Sequence, residues 1–427
     1  MSRELAYKLI KNFDKRKSLS QTDYETAVKN VKPHDVKLLK KIVFGTIRNL
    51  TKIDYINKKL VKNYNKIPPA SKAALRIGVY QLLEGFEEHA AIYETVEILK
   101  DKKMKNFVNA VLRNFLRNKD SFNFSKEHIN YSYPEEKYKY IKQNFPFYKK
   151  ILEKHLQPSP VVLRVNTLKI GSEDLFNKLK EKGWDIKKSI RFSDSIILNS
   201  SEIAPEKDEL YLKGFYYIQN ESSQLISRIL NPEKGQKIYD VCSAPGGKTT
   251  HIAQLMNNEG LIIATDIDIL RLETVEKNAE RLGIKIIETI LKKGEDYYSE
   301  AKYDKILIDA PCTSLGTSSI HPEVVHRVDL KDFKEYALIQ RNILENCMKL
   351  LKSDGELVYS TCTYSLEENT QNMKHMKEKY NINFIKLTDK LNDFKINYYY
   401  DGFGYYIIPD ETAIPFYMAK FKNSEEF

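Results

Sequence analysis

The chain has 427 residues, 42% of them hydrophobic and 30% charged, a size and balance that fit two or three folded domains and exclude disorder and a collagen-like repeat. No stretch approaches the ~18 unbroken apolar residues of a membrane-spanning helix, and the charged start MSRELAYKLIKNFDKR has no secretory apolar core, so a cytoplasmic protein with no membrane role is expected. Four cysteines without C-x-x-C spacing and eight scattered histidines suggest neither a metal site nor a disulfide framework.

Lys and Arg number 69 against 58 Asp and Glu, for a net charge of +11. Residues 1–120 hold 26 basic and 13 acidic side chains, so the whole excess lies in the N-terminal quarter. Such a block neutralises phosphates, although a solvated lysine face is the plain alternative.

In chain order, Leu5, Leu9 and Phe13, then Leu39, Val43 and Ile47, then Leu75, Val79 and Leu82 recur at helical steps. Broken at Pro33 and Pro68-Pro69, they predict a compact helical bundle over residues 1–120. Residues 121–160 are polar, Tyr-rich and punctuated by Pro134, Pro146, Pro158 and Pro160, and read as a linker with one or two short helices. Residues 161–225 read as a small α+β extension, with strands at Val161–Val165 and Ile196–Leu198 and a helix at Asp174–Lys182. From 226 to 427 strands alternate with helices, the signature of a doubly wound parallel sheet. Its predicted strands are Ile238–Val241, Leu261–Thr265, Ile286–Leu291, Ile306–Ile308 and Glu356–Ser360, with Asn383–Leu387, Tyr405–Ile408 and Phe416–Phe421 as closing antiparallel strands.

Between the first of these strands and the next helix stand Cys242, Ser243, Ala244, Pro245, Gly246, Gly247 and Lys248. Small residues there let the backbone approach a ligand, and a helix N-terminus receives a carboxylate or phosphate. Gly247-Lys248-Thr249 is similar to the end of a phosphate-binding P-loop, but Cys242 stands where that motif needs its first glycine, so nucleotide hydrolysis is disfavoured. Asp266, nineteen residues past Gly247 at the next strand end, is placed to accept from a ribose diol; a tight turn with a capping aspartate is the plain alternative. Cys312 follows one predicted strand and Cys362 another, both beside the switch point where open α/β sheets bind ligands. Two thiols there suggest covalent chemistry without a metal. Cys347, among Ile343, Leu344, Met348 and Leu351, reads as core.

The motifs CSAPGGK at Cys242–Lys248, Asp266, DAPC at Asp309–Cys312 and TCTYSLEEN from Thr361 to Asn369 resemble those of the S-adenosylmethionine-dependent RNA cytosine-5 methyltransferases. Lys72–Leu83 and Phe107–Asn114 are similar to the NusB-like RNA-binding domain, a fusion that occurs in the bacterial small-subunit ribosomal RNA methyltransferases of this family. The resemblance implies an all-α NusB-like bundle followed by an α/β Rossmann-like class I methyltransferase domain. It implies S-adenosylmethionine as co-substrate, without a metal, held by residues 242–248, by Asp266 at the ribose and by Asp309 near the reacting centre. A further acid usually meets the adenine side from a Gly-Asp pair; Gly294-Glu295-Asp296 leaves Glu295, or its neighbour Asp296, for that place. Cys362 is implied as the thiol that adds to C6 of cytosine, and Cys312 as the group that helps remove the C5 proton. The expected partner is small-subunit (16S) ribosomal RNA, met before the subunit is complete, with no obligate protein partner.

Three other readings compete. Cys312 attacks if the Pro-Cys thiol works as in DNA cytosine methyltransferases, which leaves Cys362 without a task. A non-catalytic RNA-binding or antitermination factor fits the first domain, yet an idle methyltransferase half has no reason to keep the glycine loop and both thiols. A cytosine-5 methyltransferase acting on another RNA has the same motifs. Arg164 and Asn166 belong either to a site-proximal strand or to a strand-end hydrogen-bonding pair, and His321-Pro322-Glu323 either closes over a base or starts a helix.

Overall fold

A computed structural model of the chain describes residues 2–16, 19, 21–28 and 31–423. The chain divides into two compact units, Met1–Pro158 with Ser318–Asp329, and Ser159–Thr317 with Leu330–Phe427.

The first unit is helical. Lys102–Arg117 starts where the Asp101 carboxylate accepts from the Met104 N–H at 2.8 Å, and it buries Val108, Val111, Leu112 and Phe115 at steps of three and four. Pro69–Leu83 begins on its proline and is apolar on most sides because it runs through the bundle's interior. Gly78 lets these two helices touch, since a Cβ there would stand 2.5 Å from the Leu112 side chain. The stretch read from sequence as a linker carries three helices, Glu127–Asn130, Glu135–Asn144 and Tyr148–Leu156, with Ile129, Tyr133, Ile141, Phe145, Ile151 and Leu152 buried. Its polar look misleads because a tyrosine buries its ring while keeping a polar tip.

Ser318–Asp329 completes this unit although it follows Thr317 of the other. Buried Arg48 donates to the carbonyls of His155 at 3.0 Å and Ser319 at 2.8 Å, and the His326 ring lies 3.2 Å from the Ile47 carbonyl. His321-Pro322-Glu323 immediately precedes a short helix, Val324–Arg327.

The second unit contains two sheets. In the smaller, strands β1 (Val161–Val165), β2 (Asp185–Lys188), β3 (Ser195–Ser200) and β4 (Tyr216–Ile218) pair antiparallel in the order β2-β3-β1-β4. Helix Ser172–Glu181 turns Leu175 and Leu179 into its core beside Trp184. The larger sheet has, among the described residues, nine strands: β5 (Lys237–Val241), β6 (Leu261–Asp266), β7 (Ile287–Leu291), β8 (Tyr303–Asp309), β9 (Leu351–Thr361), β10 (Ile382–Phe384), β11 (Tyr398–Tyr400), β12 (Tyr405–Ile407) and β13 (Phe416–Asn423).

Five of these run parallel in the order β7-β6-β5-β8-β9, and β13 adds antiparallel to β9, with β12, β11 and β10 beyond it. Ile306, Leu307 and Ile308 of β8 are all fully buried, as expected of a strand covered on both faces. The doubly wound sheet expected from the sequence is therefore present. From β5 the chain winds outward one way to β6 and β7, then crosses to β8 on the other side, which opens a crevice at the carboxyl ends of β5 and β8. Among the described residues no helix is long and apolar enough to cross a membrane.

Candidate active site

The loop leaving β5 turns sharply at Gly246, whose φ of 94° is left-handed, and helix Gly247–Leu255 starts at the next residue. Its small side chains keep the helix's first N–H groups open to a ligand. Ser243 N–H donates to the Thr265 carbonyl at 2.9 Å, and Asp266 accepts from Ala244 N–H at 3.2 Å and Asp268 N–H at 3.1 Å. Each Asp266 oxygen keeps a further lone pair for a ligand hydroxyl.

Asp240, the penultimate residue of β5, is fully buried; Thr249 donates to one of its oxygens at 2.6 Å and the other has no hydrogen-bond partner. Burial pushes this carboxyl up to about 7. The Cys242 thiol is likewise pushed up by burial, and by the surrounding charges of Asp266, Asp309, Asp240 and Glu295. Glu295 is half-buried beside that group, whereas Asp296 is exposed. The acids and the loop singled out in the sequence thus lie together.

At the end of β8, Asp309 forms an ion pair with Lys248 and accepts from the Ser360 hydroxyl at 2.9 Å. The Lys248 ammonium also stands 5.2 Å from the centre of the Phe416 ring. Phe416 opens β13 directly after Ile414-Pro415. The Ile414 N–H and carbonyl both bond the Ser222 hydroxyl, at 3.0 and 2.9 Å, which fixes that turn.

Cys312 and Cys362 leave adjacent strands β8 and β9 and meet, with their sulfurs 3.3 Å apart and both residues half-buried. The pair is tightly coupled: the S–H···S hydrogen bond lowers Cys362 below the usual thiol range and raises Cys312 above it. Cys347 is buried on helix Asp332–Leu350, as its apolar neighbours predict.

Beside the two thiol-bearing turns lies a polar cluster that the sequence motifs leave without a role. Glu368 accepts from the Thr313 N–H at 3.0 Å, the Thr313 hydroxyl at 2.5 Å and the Gln340 amide at 3.0 Å, and the Thr313 and Thr363 hydroxyls lie 2.9 Å apart. Burial pushes the Glu368 carboxyl up to about 7 against these bonds. Its only sequence signal is its place in Glu367-Glu368-Asn369, six residues past Cys362.

Arg164 and Asn166 prove to be bracing residues. The buried Arg164 guanidinium donates to Gln219 at 2.5 Å, the Gly247 carbonyl at 2.6 Å and Thr250 at 3.0 Å, and Asn166 donates to the Gly214 and Leu282 carbonyls, each at 2.9 Å. Arg164 thereby ties β1 to the first turn of the helix behind the glycine loop.

Comparison with known proteins places this arrangement among methyltransferases. Residues 227–422 match the family described as 16S rRNA methyltransferase RsmB/F, residues 1–117 match the NusB family, and residues 133–203 match the RsmF/B-like ferredoxin-like domain. The probable ribosomal RNA small subunit methyltransferase B of Bacillus subtilis is 32% identical over 388 residues, 86% of each chain. The solved structure of PH0851 shares the fold over 99% of both chains, with a TM-score of 0.79 at 23% identity. NSun6 from Pyrococcus horikoshii, solved with SFG, is 26% identical with a TM-score of 0.59, over 69% of this chain and 99% of its own.

Proposed function

Because the chain belongs to the 16S rRNA methyltransferase RsmB/F family, and so methylates small-subunit ribosomal RNA with S-adenosylmethionine, we propose that its acceptor is C5 of a cytosine and that the reaction runs through a covalent bond to Cys362. The observation that carries this reading is the pair of sulfurs 3.3 Å apart at the ends of β8 and β9. The crevice fits the donor: residues 242–248 offer helix N–H groups to its carboxylate, Asp266 and Glu295 offer acceptors to its hydroxyls and amine, and Asp240 has a buried oxygen without a partner. S-adenosylmethionine supplies an electrophilic methyl group there.

C5 of cytosine is too weak a nucleophile to take that methyl unaided. The Cys362 thiolate forms a bond to C6, the ring's electron pair moves to C5, and C5 bonds the methyl as the methyl–sulfonium bond breaks. Bound to carbon, the Cys362 sulfur carries no charge, so Cys312 no longer shares its proton with a neighbouring thiolate and can lose it to water. Cys312 then takes the proton from C5, the S–C6 bond breaks, and the Cys362 thiolate is restored. Lys248 holds Asp309 at the end of β8, where it faces this exchange. The cytosine must be unpaired or flipped to enter, and the basic excess of residues 1–120 supports a phosphate-binding role for the first unit.

Wild type, Cys312→Ala and Cys362→Ala, incubated with S-adenosylmethionine and unmodified small-subunit rRNA and run on a denaturing gel, test the roles. A protein–RNA adduct that accumulates only with Cys312→Ala supports them. An adduct with Cys362→Ala exchanges them, and no adduct together with no methyl transfer removes the covalent route. We also propose that the RNA is met before assembly is complete; equal methylation of free rRNA and mature subunits would contradict that.

A further inference from the structure

We infer that Glu368 is a positioning residue that ties the turn carrying Cys312 to the turn carrying Cys362 and thereby sets the spacing of the two sulfurs. The inference rests on the roles proposed above for the thiols.

Thr313 directly follows Cys312, and Thr363 directly follows Cys362. The Thr313 hydroxyl gives its one proton to Glu368, so the 2.9 Å contact between the two threonines is donated by Thr363. A single relay thus runs from one thiol-bearing turn through the other to the carboxylate. Gln340 donates both to Glu368 at 3.0 Å and to the Pro311 carbonyl at 2.8 Å, which holds the chain on the other side of Cys312. Glu368 is itself fixed: its carbonyl accepts from Tyr359 at 2.6 Å and from Asn372 at 3.0 Å. Glu368, Gln340 and Thr363 are fully buried and Thr313 is 2% exposed, so water does not compete for these bonds.

Two N–H donors, from Thr313 and Gln340, meet one carboxylate oxygen and the Thr313 hydroxyl meets the other. In Glu368→Gln the amide oxygen can still take both N–H groups, but its nitrogen then faces the Thr313 hydroxyl, which must turn its proton to Thr363 and reverse the relay, and every bond loses the carboxylate's charge at nearly unchanged volume. The relay loosens while the fold keeps its packing. A hydrogen bond elsewhere in the core would not be expected to alter how two sulfurs act together.

The test uses the full chain at pH 8, comparing wild type, Glu368→Gln and Thr363→Val. S-adenosylmethionine affinity and the KM for rRNA should stay within about twofold, while kcat falls about tenfold to a hundredfold, the scale of a small misplacement of reacting groups. The second readout needs no RNA: phenylarsine oxide bridges two nearby thiols with loss of water, and mass spectrometry assigns the bridge to Cys312 and Cys362. Bridging should slow in both variants while alkylation of Cys312 and Cys362 by a monofunctional reagent does not. Wild-type kcat and wild-type bridging in folded Glu368→Gln overturn the inference. If that variant does not fold, Thr363→Val decides in its place. If wild type places no methyl on cytosine C5, the proposed reaction fails, and the bridging result still rules on Glu368.

Discussion

The glycine loop after β5 and the paired turns after β8 and β9 face the same crevice but work in opposite ways. In the first, the groups that the proposed donor site uses are backbone N–H donors, and side chains are kept out: Gly246 is left-handed, and a Cβ on it would stand 3.1 Å from the Val275 Cα. In the second, the atoms that the proposed reaction uses are two sulfurs, and a buried side-chain relay joins their turns. The difference teaches where a substitution will be felt. Changes in the loop should act on donor affinity, and changes in the turns on the chemical step.

The largest break in that contrast is Cys362→Ala. Methyl transfer should fall at least about a thousandfold, with donor affinity measured by calorimetry within about twofold of wild type. A comparable loss of donor binding would show that the two regions are not separable. Next comes Gly246→Ala, which forces a left-handed alanine at a cost of roughly 1–2 kcal/mol. Its dissociation constant for S-adenosylmethionine should rise about tenfold, with kcat at saturating donor changed less than about threefold. A kcat loss at saturation would place the loop in the chemistry.

The smallest effect concerns Asp240, and its readout is stability. Burial raises its carboxyl to about 7, so the folded protein keeps a proton that the unfolded chain gives up near pH 4. The stability this contributes is full at low pH and is lost as pH rises through 7. Melting curves should show Asp240→Asn gaining on wild type between pH 5 and pH 8. Glu368, also raised to about 7, leaves part of the wild-type slope in place. Parallel profiles for the two proteins would contradict the shift.

Much of this was legible in the sequence because strand ends announce themselves. Runs such as Lys305–Ile308 and Leu357–Tyr359 stop at small polar turns, and that alone puts Cys312 and Cys362 at carboxyl ends. That their sulfurs touch needed the β8–β9 pairing, which no local pattern contains. Gln340 and Glu368 lie on separate elements, and their bond exists only because helix Asp332–Leu350 packs beside the β9 turn. Arg164 stayed between two readings because its acceptor, the Gly247 carbonyl, is 83 residues away. At 127–156 the short helices are legible but their packing into the first unit is hidden by composition, since tyrosine and lysine there bury their apolar parts and show a polar letter.

Ser318–Asp329 bears on how the protein is made. A ribosome delivers residues 2–158 and then all of 159–317 before it supplies the Ser319 carbonyl that Arg48 uses. Until then the first unit is a nearly finished bundle with one buried guanidinium bond unmade, and its completion is timed by synthesis of the strands up to β8. A gene split at the apparent boundary near residue 158 would part the helical unit from its own last piece.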